Sequence, residues 1–136
     1  RRGIRVDGTV LPLGEAPWEI RVALGRTDEG PLLIAVDSEG EVRALEFNPE
    51  RPDRLRERSS GRLRAAPPAA TPLRFSIRFV PGEIVVEMDG APGEVTLPMR
   101  DSEPDGEWGV GVAPGTAAAW ESLDAFSPNG RRPGPR

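Results

Sequence analysis

The sequence predicts an all-β domain, a two-sheet antiparallel β-sandwich of jelly-roll type. Three observations carry that reading. Glycine and proline number 16 each in 136 residues, and most fall between short apolar runs, as in chains built of strands and turns. Within those runs apolar and polar residues alternate with a period of two, not 3.6. About nine or ten such runs follow one another, enough for two sheets to cover each other. A chain of this length fits one domain with a real core. Residues 1–126 are read as that domain, and residues 127–136, rich in Pro, Gly and Arg, as a disordered tail or linker.

The elements follow in order. Ile4–Val6 and Val10–Leu13 supply one or two opening strands, with Asp7-Gly8 standing among the turn signals. Trp18–Leu24 alternates cleanly, with Trp18, Ile20, Val22 and Leu24 on one face. Leu32–Val36 places Leu32, Ile34 and Val36 together, and a Ser38-Glu39-Gly40 turn joins it to a weaker strand, Val42–Phe47. The stretch 50–70 has only Leu55 and Leu63 as large apolar residues. It is read as a polar hairpin turning at Ser60-Gly61, in preference to a helical turn at Asp53–Arg58.

Pro72–Val80 and Glu83–Asp89 form the strongest pair. Closing a hairpin around Pro81-Gly82 sets Phe79 opposite Ile84, Ile77 opposite Val86 and Phe75 opposite Met88 on one face. Arg78, Ser76 and Arg74 then oppose Val85, Glu87 and Asp89 on the other. Agreement of both faces is what specifies register. Val95–Met99, Trp108–Ala113 and Ala117–Phe126 complete the set. Gly109 and Gly111 are expected to serve close packing or a bulge.

Composition removes several chemistries. There is no cysteine and no histidine. Disulfides, thiolate nucleophiles, zinc-finger and iron–sulfur sites and histidine-based triads are therefore excluded. The net charge is −4, which speaks against a nucleic-acid partner. The basic residues Arg51, Arg54, Arg56, Arg58, Arg62 and Arg64 are interleaved with Glu50, Asp53 and Glu57, so they are read as a self-neutralised face. No run reaches the ~20 apolar residues of a membrane helix. The opening at Arg1-Arg2 suggests a piece of a longer protein.

The second half carries a pattern at the level of fold. Arg74–Phe79 is followed by Glu83-Ile84-Val85-Val86-Glu87-Met88-Asp89-Gly90, then by Trp108-Gly109-Val110-Gly111-Val112 and Ala119-Trp120-Glu121-Ser122-Leu123. This resembles the concanavalin A-like lectin/glucanase superfamily in its short bacterial laminin-G-like form, over residues 71–126; the first half matches only in strand rhythm. The resemblance implies a β-sandwich, and a lectin, glycosidase, adhesion or scaffolding role that fold alone does not choose among. It also favours an extracytoplasmic location.

Three constellations bear on that choice. Glu87-Met88-Asp89 imitates the opening of the E-x-D-x-x-E signature of laminarinase-type relatives, but Pro92 stands where the third carboxylate belongs. With Ser76 and Arg74 as cross-strand partners, the two acids read as a solvated outer face with an ion pair. The loop Asp101-Ser102-Glu103-Pro104-Asp105-Gly106-Glu107 offers Asp101, Glu103 and Asp105 as candidate calcium ligands, although its spacing matches no defined calcium loop and no cofactor is otherwise expected. Among the aromatics, Phe75, Phe79, Trp18 and Trp120 fall on core faces. Trp108 follows a polar loop and, with Asp105, is the candidate ligand contact. The reading is a non-catalytic interaction module that binds a glycan or a protein. An accessory domain packing on its parent or partner chain is the first alternative, and a glycoside-processing enzyme or its remnant the second.

Overall fold

The computed structural model describes residues 4–27, 30–48, 50–68, 70–80, 82–89, 91–99 and 107–126. Among them every regular element is a strand: β1 (Arg5–Pro12), β2 (Glu19–Thr27), β3 (Gly30–Asp37), β4 (Glu41–Asn48), β5 (Arg51–Arg62), β6 (Leu73–Val80), β7 (Glu83–Met88), β8 (Ala91–Pro98), β9 (Gly109–Val112) and β10 (Ala118–Phe126). The first sheet has the order β10-β1-β6-β7-β8 and the second β5-β4-β3-β2-β9. All pairings within them are antiparallel.

The period-two pattern decides which side of each sheet is dry. Val6 and Val10 of β1, Ile20, Val22 and Leu24 of β2, Leu32, Ile34 and Val36 of β3, and Leu73, Phe75, Ile77 and Phe79 of β6 all turn into one inter-sheet cluster. Ile84, Val86 and Leu97 meet them from β7 and β8. Burying one such aliphatic side chain contributes about 1.5–3 kcal/mol. Trp120 of β10 sets its ring edge-on to Phe75, with centroids 6.0 Å apart at 75°. The β6–β7 register is the expected one, with Phe75, Ile77 and Phe79 facing Met88, Val86 and Ile84. Gly82, with φ of +85°, supplies the left-handed conformation at the hairpin end. Gly40, at +88°, does so between β3 and β4.

Three expectations are corrected. The chain does not turn at Asp7-Gly8: β1 runs unbroken from Arg5 to Pro12. Gly8 faces inward there, and a Cβ on it would lie 2.7 Å from Phe75 Cζ and 2.8 Å from the Ser122 carbonyl oxygen. The glycine serves close packing inside a strand. Residues 51–62 form one long edge strand, not a hairpin. Register shifts against β4 at Ala44/Leu45 and Phe47/Asn48 break its alternation and hide it from a periodicity reading. Gly61 packs inward, where a Cβ would meet Val95 Cγ1 at 2.6 Å, so β5 closes against β8 on this side of the sandwich. Finally, Gly109 and Gly111 serve neither a bulge nor close packing. They pair in regular register with Ala23 and Arg21, and a Cβ on either would have no atom within 4 Å.

Candidate functional site

Strand pairing lines up outward side chains in rows across the first sheet. The middle row runs Asp124, Asp7, Ser76, Glu87, Glu94, one residue from each of the five strands. On one side lies the row Phe126, Arg5, Arg78, Val85, Thr96. On the other lie Ser122, Thr9 and Arg74, with the Asp89 amide donating to the Arg74 carbonyl at 2.9 Å. Neighbouring strands stand ~4.8 Å apart, so the carboxylates of the middle row crowd in two pairs, Asp124 with Asp7 and Glu87 with Glu94. Like charges directly opposite across strands are unfavourable.

The flanking guanidiniums relieve part of that crowding. Arg5 Nε lies 3.2 Å from Asp7 Oδ2, and its guanidinium sits 4.5 Å from the centre of the Phe126 ring. Arg78 reaches Glu87 at 3.4 Å and Glu94 at 3.2 Å. Glu87 and Glu94 also hydrogen-bond to each other. That bond, followed by partial burial, raises the Glu87 pKa and lowers that of Glu94, while Arg78 pulls both down. Asp7 Oδ1 is out of solvent and has no hydrogen-bond partner.

Beside this row the surface sinks into a cleft of about 670 Å³. Gly8, Phe75 and Met88 turn inward, so only their main chain can form its floor. Its middle carries the short side chains of Thr9, Ser76 and Ser122, where longer ones would fill the space. Asp7, Arg74, Glu87, Asp89 and Asp124 stand around it. Gly93, with φ of +107°, lines the far end.

The cleft is equipped for polar recognition. Arg74 and Asp89 are both exposed, and no ion pair joins them. The expected cross-strand pair is therefore corrected: the two backbones are hydrogen-bonded, but the ion pair on this face belongs to Arg78 with Glu87 and Glu94. Glu87 is thus already engaged, while Asp89 stands open to solvent. The second sheet's outward face is closed on itself by contrast. Glu19 holds Arg21 at 2.8 Å and also Arg43, which in turn reaches Glu41 at 3.3 Å.

Of the residues singled out from sequence, Asp101, Glu103 and Asp105 lie outside the described residues. Trp108 is half-buried just before β9, packed against the core cluster and away from the cleft. Asp7, Thr9, Arg74, Ser76 and Asp124 were not expected as site residues. The available signal was that each is polar at an outward position of a strand whose other face is apolar. Among the described residues no group of three His, Cys, Asp or Glu is arranged to hold a metal ion, and no helix is long and apolar enough to cross a membrane.

No family model and no curated protein matches this chain. Solved structures do. Sheep galectin-11 in complex with glycerol superimposes with a TM-score of 0.64 at 14% identity, covering 93% of this chain and 91% of that one. An ancestral congerin, Con-anc, gives 0.57 at 11%, covering 91% and 90%. At these identities the likeness is one of fold: over nearly its whole length the chain shares the two-sheet β-sandwich of these two structures.

Proposed function

We propose that this chain is a non-catalytic, glycan-binding module of lectin type within a larger bacterial protein, and that it takes its ligand in the cleft on the outward face of the first sheet. The observation that carries this is the set of uncommitted polar groups there. Arg74 and Asp89 offer donors and an acceptor without neutralising each other, and the hydroxyls of Thr9, Ser76 and Ser122 lie between them and the Asp7–Asp124 step. A hydroxyl-rich ligand needs such alternating donors and acceptors. The fold neighbours, a galectin and an ancestral congerin, share this β-sandwich, which supports the same reading. An extracytoplasmic location goes with it. The described surface exposes only Leu13 and Val112 among large apolar side chains. That gives little to an accessory domain docking through an apolar patch.

The test is an amide chemical-shift titration of the labelled protein against a panel of neutral, amine-bearing and acidic oligosaccharides. Perturbations confined to β1, β6 and β7, abolished by Arg74→Ala and by Ser76→Trp, are the expected result. Neither side chain enters the core, so both variants keep the fold. Silence across the panel, or shifts centred on the second sheet, would reject the site.

A further inference from the structure

Each sheet of the sandwich has two edge strands, and three of the four are guarded against pairing with another chain. β5 carries Arg56 and Arg62 and is bulged against β4. β8 contains Pro92, Glu94 and Pro98 and is bulged against β7. β10 carries Glu121 and Asp124 and is bulged against β1. β9, Gly109-Val110-Gly111-Val112, has no charge, no proline and no bulge. Among the described residues no strand lies beyond it. The Ala113 amide donates to the Glu19 carbonyl at 3.0 Å, and hydrogen-bonded pairs alternate along an antiparallel ladder. Gly109 and Gly111 therefore direct their main-chain groups to β2, while those of Val110 and Val112 point to the free edge. The two exposed large apolar side chains of the described surface flank the connection between β9 and β10. They are Val112 at its start and Leu13, whose amide donates to the Ala117 carbonyl at 2.8 Å.

We infer that β9 pairs with β9 of a second copy of this chain, antiparallel about a two-fold axis through Gly111, so that the second sheet runs on from one molecule into the other. This pairing stands independently of the glycan reading. The edge is self-complementary in that register. Val110 of each copy falls opposite Val112 of the other, and each such pair exchanges both of its N–H···O bonds, which uses every main-chain group that β9 turns to its free edge. Gly111 falls opposite Gly111 in the non-hydrogen-bonded position, where antiparallel backbones come closest, with Cα atoms about 4.5 Å apart. Glycine within a strand marks such an approach of another backbone, and inside the chain a Cβ on Gly111 would meet nothing within 4 Å. No charge opposes a charge across the axis. A β10–β10 pairing would instead bring the Glu121 and Asp124 carboxylates of both copies onto one ladder. The axis stands perpendicular to the sheet, so both copies present the cleft of the first sheet in the same direction. A ladder of 4 residues covers less than the about 1,200–2,000 Å² of a stable interface. The dimer is therefore weak, with a dissociation constant on the order of 100 μM.

The experiment is sedimentation equilibrium of the full chain from low micromolar to millimolar concentration. The weight-average mass is expected to rise from 14.7 kDa toward twice that value. Gly111→Lys sets two ammonium groups face to face across the axis and is expected to weaken association at least about tenfold. Its Cβ enters open space, so the fold is kept, which unfolding in urea checks. Thr96→Lys, at an exposed position of edge strand β8, should leave association unchanged. In amide hydrogen exchange Val110 and Val112 should gain protection as concentration rises. A sample mixed from labelled and unlabelled chains should show a Gly111 Hα–Hα contact between molecules. A mass that stays at the monomer value up to millimolar concentration overturns the inference. So does association that Gly111→Lys leaves intact or that Thr96→Lys weakens equally. Val110 and Val112 amides already protected in the dilute monomer would also overturn it, because another segment of the same chain would then hold this edge.

Discussion

Replacing Gly8 by alanine tests the packing beneath the cleft. The added Cβ would stand 2.7 Å from Phe75 Cζ, 2.8 Å from the Ser122 carbonyl oxygen and 2.9 Å from Leu123 Cδ2. All three lie well inside van der Waals contact. The Phe75 ring and the Leu123 methyl can shift, but the Ser122 oxygen belongs to the backbone of β10, hydrogen-bonded to β1. Relief therefore means prying β1 from β10. Overpacking of this kind costs about 1–3 kcal/mol. Against it, losing a glycine stiffens the unfolded chain and returns about 0.4–1 kcal/mol. The net expectation is a loss of about 1–2 kcal/mol, read as a lower urea midpoint at unchanged slope. Adding Phe75→Leu should recover only part of the loss, because the carbonyl contact remains. Gly111→Ala is the internal control, since its Cβ would meet nothing, and it should be neutral or slightly stabilising. A Gly8→Ala midpoint at or above that of the parent would refute the inward placement of Gly8 and the β1–β10 register with it.

Two further outcomes follow from the core and the carboxylate row. Ile77→Ala, at a fully buried position, should cost about 2–5 kcal/mol through a cavity; a change below ~0.5 kcal/mol by denaturant unfolding would reverse the face assignment of β6. Glu94→Gln removes the first cause that raises the Glu87 pKa, so carboxyl-carbon NMR should show Glu87 titrating nearer its ordinary value of 4.5, and an unchanged or higher value would contradict the cross-strand contact. The linkage signs oppose each other. Raised Glu87 makes its favourable contribution when protonated and loses it as pH rises through its folded value, whereas lowered Glu94 contributes above 4.5 and loses that as pH falls.

The β6–β7 hairpin was legible residue by residue because apolar and polar faces agree across both strands. Trp18–Leu24 and Leu32–Val36 were equally plain. Where the reading failed, local chemistry pointed away from tertiary packing. Asp7-Gly8 has the composition of a turn, but its glycine answers to the Phe75 ring, which lies far along the chain. Ser60-Gly61 does the same beneath Val95. Edge strand β5 is polar and bulged, so it lacks the alternation that marks its neighbours. The cleft was out of reach for a related reason. Asp7, Ser76, Glu87 and Asp124 become neighbours only when β1 is placed between β6 and β10, and no periodicity within one strand encodes that placement.

That placement also governs how the domain can be made. A chain emerging from its N-terminus presents β1 first, yet Val6 lies opposite Ile77 on one side and Ala125 on the other. The second sheet has less to wait for, because β2, β3, β4 and β5 pair in sequence order and only β9 arrives late. Assembly is thus expected to begin with that four-strand meander, while β1 remains unpaired until the last strand is available. Non-local pairing of this kind slows folding toward milliseconds to seconds. It also makes residues 118–126 a closing element: shortened before Ala118, the chain would leave one side of β1 as an open edge ready to pair with another molecule.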